Sequence, residues 1–245
     1  MLPDGIGELL SVLDIQTAMS LIEKTARWAA PETFSYLPVW YPEHARKSLL
    51  YKGSWAEKQM NTNRETKISV HKHEANTYAG KALNAALGMG SKKPKNWSCC
   101  HIWGVDDPGF QTTNTVVQDA RFYSCIGNMV LLPTPLKAFT DSVPAVKAML
   151  RICARNLYGW QCDHPDMTTT NARLDRWDQW DDYPASWPRS QDDRVQPLSV
   201  VAFSAKVKAA ADRRRARIFR DLSGAGQNYP RGVVREVLDY WKISP

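Results

Sequence analysis

The chain has 245 residues, 32 Lys and Arg against 25 Asp and Glu, and a formal net charge of +7. That length, with 43% hydrophobic and 23% charged residues, supports one large or two small folded domains and excludes overall disorder. No apolar run reaches the roughly 18–20 residues that cross a bilayer, so no membrane span is expected. Residues 1–7 carry Asp4 and no basic stretch, unlike a signal peptide. The five cysteines are dispersed, so a disulfide framework is not expected and a reducing cytoplasm is the predicted location. The basic balance favours an acidic partner such as nucleic acid.

Leu9, Leu10, Leu13, Met19, Ile22 and Ala26 recur at near-helical spacing, which predicts one or two helices over 6–30. Pro31, Pro38 and Pro42 then punctuate a connection. Ala75, Ala79, Ala82, Leu83, Ala86 and Leu87 share a face, so 74–87 reads as a helix stopped by Gly88 and Gly90. Glu74 and Asn76 are its candidate caps. The short apolar run 97–103 suits a buried strand, and 115–117 with 121–126 are expected to supply a second strand, or two. Residues 128–132 are apolar and end at Pro133. A helix is predicted over 145–157, with Val146, Met149, Leu150 and Cys153 as its buried stripe. The stretch 161–199 reads as an ordered but irregular loop anchored by Trp177, Trp180 and Trp187. Helices over 203–222 and 231–241 complete the chain.

The charge is uneven. Residues 161–194 hold eight Asp against four Arg, whereas 205–220 hold seven basic side chains against Asp212 alone. Phe203, Val207, Ala211 and Ile218 can pack one side of that basic helix. Its five arginines within eight positions cannot all point one way. Arg213, Arg214, Arg215 and Arg217, together with Lys92, Lys93 and Lys95, are therefore candidate phosphate contacts.

The stretch 97–141 carries the chemistry. His101 ends the short apolar strand, a polar loop and a second extended stretch follow, and Asn128 opens the run Asn-Met-Val-Leu-Leu-Pro. This pattern resembles the HNH, or ββα-metal, endonuclease family. There a strand ends in the catalytic His, a hairpin loop follows, and an Asn opens an apolar segment that leads into a helix. Asn114 is a second candidate for the motif Asn; the apolar run after Asn128 favours Asn128.

The resemblance implies His101 as general base and Asn128 as the residue that fixes the hairpin. Phosphodiester hydrolysis needs an activated water, and a neutral imidazole can take its proton. A divalent metal, Mg²⁺ or Mn²⁺, would polarise the phosphate. The third signature position, nine after Asn128, is Lys137, whose ammonium cannot ligate a metal but can contact phosphate. Many members have Asp before the catalytic His; Cys100 stands there. Asp141, one helical turn beyond Lys137, is the substitute oxygen ligand, with Asp119 and Asp106 as weaker candidates. Zinc on Cys99, Cys100, Cys125 and Cys162 lacks a CxxC unit, so these read as buried thiols.

The sequence thus predicts an α+β protein with a small ββα-metal core embedded in mostly helical surroundings. Its regions are an N-terminal helical part (1–90), the HNH-like core (91–160), and an irregular Trp/Asp-rich loop with basic C-terminal helices (161–245). The expected activity is metal-dependent hydrolysis of DNA; a bacterial or phage restriction or defence role follows by analogy only. The alternative is a catalytically inactive nucleic-acid-binding or protein-interaction module on the same fold. A homodimer is left open.

Overall fold

The computed structural model describes residues 4–90, 94–104, 106, 111–193 and 195–245. Helix α1 (Gly5–Val12) is capped by Asp4, whose carboxylate accepts the Gly7 N–H at 3.0 Å. Asp14 does the same for α2 (Ile15–Thr25), which buries Ala18, Met19 and Ile22. The two helices meet at a 95° bend, and no single helix among the described residues is long and apolar enough to cross a membrane. Strand β1 (Trp28–Ala29) follows. The proline-punctuated connection begins with a short helix, α3 (Pro31–Tyr36), because Pro31 occupies its first position, where no N–H is needed.

An exposed hairpin, β2 (Met60–Thr62) and β3 (Ser69–His71), precedes α4 (Thr77–Ala86). Buried Glu74 caps α4 by accepting the Thr77 N–H at 2.5 Å. Asn76 makes no capping bond; its side chain instead accepts from Arg46 at 2.8 Å.

Strand β4 (Trp97–His101) pairs antiparallel with a strand that begins directly after Asn128. The expected strands at 115–117 and 121–126 are not formed. Residues Val116–Gln118 make a 3₁₀ turn and α5 (Ala120–Tyr123) a helical turn. The reason is local: Asp119 accepts the Arg121 N–H at 2.8 Å, a cap that starts a helix and overrides the β-branched and aromatic content. The partner of β4 is β5 (Met129–Pro133), in the register His101↔Met129 to Trp97↔Pro133. Residues 129–132 of β5 are all buried, and its far edge exchanges hydrogen bonds with Arg27 through Leu131. A strand enclosed on both sides needs a continuous apolar run, and MVLL supplies it. After a 3₁₀ turn comes α6 (Lys137–Ser142), which completes a ββα unit, and then α7 (Pro144–Tyr158).

The Trp/Asp-rich stretch contains one helix that the sequence pattern did not predict, α8 (Thr168–Leu174), and is pinned by buried Trp187. Strand β6 (Val200–Val201) pairs parallel with β1. The chain then forms α9 (Ala205–Gly224) and α10 (Arg231–Tyr240). With 47% helix and 12% sheet the fold is a mostly helical α+β. One main core runs through it, from Ile22 and Trp28 through the hairpin to Trp187 and Ala211.

Helix α9 does not present its arginines as a stripe. Arg214 is buried, pairs with both oxygens of buried Glu43, donates to the Trp40 carbonyl and lies 4.3 Å from the Tyr41 ring centre. It is a core cation, not a phosphate contact. Arg215 donates to the main-chain oxygens of Ser244 and Pro245. Arg217 pairs with Asp221, and Lys208 with Asp212. Of the four arginines expected at phosphate, Arg213 is the exposed one without an ion pair among the described residues. Removing one partner of a buried pair strands the other charge. Arg214→Ala is therefore expected to cost about 3–5 kcal/mol in urea unfolding. Arg213→Ala should stay within about 0.5 kcal/mol of the parent.

Candidate active site

His101 stands at the end of β4, where the strand opens into a cleft of about 350 Å³. Its Nε2 lies 2.8 Å from the main-chain oxygen of Tyr123. A carbonyl can only accept, so Nε2 carries the proton and Nδ1 is left as the basic nitrogen. Burial pushes the imidazole down to about 4, and the charges of Arg46 and Lys147 push the same way. His101 is thus neutral at pH 7, with a fixed tautomer.

The carbonyl that orients it is itself positioned. Asn128 is fully buried at the start of β5. Its Oδ1 accepts the Trp103 N–H at 2.7 Å and its Nδ2 donates to the Phe122 carbonyl at 3.1 Å. One amide therefore ties the chain leaving β4 to the helical turn that offers the Tyr123 carbonyl. Asn114 lies in the intervening loop and lines the cleft without opening a strand. Buried Arg151 fixes the chain beyond His101, donating to the carbonyls of Ile102 and Gly104 at 2.7 Å each.

The cleft is cationic. Arg46, Lys47, Lys137 and Lys147 line it, and Asp141 is the one carboxylate among its described lining residues. Lys137 and Asp141 face each other one turn apart on α6 and form an ion pair. Lys147, largely buried, also lies 3.3 Å from Asp106, and burial lowers its basicity. Arg46 and Lys47 arrive from a turn fifty residues upstream of the motif, which no local pattern connects to it. Lys147 sits on the predicted helix 145–157, where only the apolar stripe drew notice.

Several expected ligands are elsewhere. Asp119 caps α5 and is held by the Arg121 side chain at 2.6 Å; it does not line the cleft. Asp106 receives two bonds from Arg151, at 2.7 and 2.8 Å, and also lies outside the cleft lining. Cys100 lines the cleft, but burial raises its thiol to about 11, so it is protonated at neutral pH. All five cysteines are free thiols. Among the described residues no three His, Cys, Asp or Glu side chains converge as a metal cage. A dication would meet four cations and a carboxylate already paired with Lys137, so this donor set does not fit a resident Mg²⁺ or Mn²⁺. Lys92 and Lys93 lie outside the described residues. Lys95 is exposed just before β4 and is not part of the cleft lining.

Comparison with protein-family models, with curated proteins and with solved structures finds no match to the chain.

Two measurements test this geometry. Asn128→Ala would leave the Trp103 N–H buried and unpaired, whereas the Phe122 carbonyl keeps the Cys125 N–H at 3.3 Å. About 1–3 kcal/mol of stability should be lost in chemical denaturation. The second concerns pH. His44, buried and stacked on Tyr78 with ring centres 3.6 Å apart, is lowered by burial to about 3, and His101 to about 4. The unfolded chain takes up these protons near pH 6.5, while the folded chain refuses them until far lower pH. Stability should therefore fall as pH drops from about 6.5 toward 4. His44→Phe, which keeps a ring on Tyr78, should flatten that acid-side decline in the thermal midpoint. An unchanged slope would show that His44 does not carry it.

Proposed function

We propose that the protein is an HNH-like endonuclease that hydrolyses DNA phosphodiester bonds. One observation carries this reading: His101, with its tautomer set by the Tyr123 carbonyl, lines a cleft walled by four cations. Those parts suit an anionic phosphodiester and a water that must lose a proton. A water on the phosphorus side of His101 passes its proton to Nδ1 as its oxygen bonds to phosphorus. Arg46, Lys47 and Lys137 meet the charge that builds on the phosphoryl oxygens as the bond to the leaving oxygen breaks, and the leaving oxygen takes up a proton from solvent water. No step is assigned to a metal, because the donor set does not fit one.

The basicity of His101 is low for a general base, chiefly because it is buried and to a smaller extent because of Arg46 and Lys147. A bound phosphate offsets only the part that these two cations contribute.

A second reading is favoured by the Lys137–Asp141 pair and by Cys100, which leave no free carboxylate among the described lining residues of the cleft: a nucleic-acid-binding module that does not cut. Conversion of supercoiled plasmid separates the two when it is followed in Mg²⁺, in Mn²⁺ and in EDTA. The nuclease reading expects nicking that His101→Ala slows by at least about 100-fold, the usual worth of a positioned general base. If wild type and His101→Ala convert plasmid alike, only the binding module stands. Activity that survives EDTA assigns the electrophile to the four cations. A strict metal requirement overturns the assignment of the electrophile to these cations.

A further inference from the structure

We infer that the His101 cleft continues as a groove for single-stranded nucleic acid, running along α4 onto α9, with Lys81, Lys206 and Arg213 as its phosphate contacts. The inference rests on the phosphodiester reading for the strand's reacting end. Its grounds are three clefts that share walls. The His101 cleft and a neighbour of about 480 Å³ are both lined by Asn76, Cys99 and Lys137. That neighbour and a third cleft of about 310 Å³ are both lined by Lys81 and Asn84. Asn76 immediately precedes α4, and Lys81 and Asn84 lie in its middle and near its end, so the helix banks the second and third clefts and its entry residue borders the first. Its ten residues span about 15 Å.

The charge along this bank has one sign. Lys81 stands in the middle and Lys206 and Arg213 in the far cleft, and neither of these two clefts has an acidic residue among its described lining. Lys81, Lys206 and Arg213 are all exposed. None of the three forms an ion pair among the described residues, whereas Lys208, Arg214 and Arg217 on the same helix do. Lys81 lies over the Tyr78 ring, 4.3 Å from its centre, which holds its charge at the groove wall without a carboxylate partner among the described residues.

The form of the groove selects the strand type. Each cleft, at about 310–480 Å³, is of a size that takes one small moiety such as a nucleotide unit. Trp97 lines the middle cleft and Tyr41 the far one, and aromatic rings interleaved with cations are how a single strand is held without base-edge readout. Arg27 lies 5.3 Å from the centre of the Trp97 ring and so steadies it.

The test is fluorescence anisotropy of a labelled single-stranded oligonucleotide, titrated across a range of salt. The triple variant Lys81→Ser, Lys206→Ser, Arg213→Ser is expected to bind at least tenfold more weakly. The slope of log affinity against log salt should shrink by about two, at roughly 0.7 for each phosphate that the protein no longer neutralises. The triple Lys81→Arg, Lys206→Arg, Arg213→Lys should keep both, which separates charge from packing; thermal melts check that each variant is folded. The groove is overturned if the Ser triple binds with unchanged affinity and slope, or if wild type does not bind the oligonucleotide at low salt. Tighter binding of a duplex of equal length overturns the single-strand assignment. Anisotropy needs no turnover, so a wild type that cuts nothing ends the nuclease reading while the groove is still judged. A failed groove leaves the His101 cleavage result standing.

Discussion

Everything near His101 depends on one buried side-chain amide. The loop between β4 and β5 is long, and a loop of that length closes with little geometric control of its own. Asn128 supplies the control, because its amide has an acceptor oxygen and a donor nitrogen and uses them on opposite sides of the gap. It holds the strand just after His101 through Trp103, and the helical turn before β5 through Phe122. The next carbonyl along that turn, from Tyr123, takes the His101 N–H. The tyrosine's hydroxyl donates in turn to Glu74 at 2.6 Å, and Glu74 caps α4. Two residues on, Asn76 holds Arg46 at the cleft wall. His101, its orienting carbonyl and one of the cations that line the cleft are thus links in one connected network. Buried networks of this kind fix a single arrangement because any unmatched member is costly.

The basic helix α9 carries the opposite lesson. Its sequence reads as a cationic surface, and most of it is consumed within the fold. Arg214 is taken into the core by Glu43, and its neighbours pair along the helix or with the main chain near residue 245. Net charge in a segment does not reveal this, since a partner such as Glu43 lies 171 positions away. Cations that form no ion pair among the described residues, Arg46 with Lys47, Lys81, and Lys206 with Arg213, come from three separate parts of the chain.

The legible parts of the fold are those with strong local signals. The Ala-rich face of α4, the apolar stripe of α7 and the MVLLP run of β5 each state their structure within a dozen residues. The 121–126 stretch misled because Phe, Tyr and Ile favour strands, while the deciding fact is an Asp119 cap that a propensity reading weights too lightly. For α8 there was no apolar period to find: three consecutive threonines and an asparagine form a helix here because the preceding 3₁₀ turn, closed by His164, starts it. At the site, His101 and Asn128 could be singled out because strand ends and an apolar run mark them. Arg46 and Lys47 could not, because only tertiary folding brings a turn in the forties against a strand near 100.

The electrostatics of the cleft also explain why Lys137 can stand where a metal ligand would be expected. Four cations around one paired carboxylate make a field that attracts a phosphate and repels a dication. Burial is the main cause of the low proton affinity of His101, and the charges of Arg46 and Lys147 add to it. On the nuclease reading, a phosphodiester entering the cleft would cancel part of the cations' share and none of the share due to burial. A metal-based site gains its nucleophile by making bound water more acidic. Here a smaller control of the same kind would fall on His101 itself, exerted through space by Arg46 and Lys147.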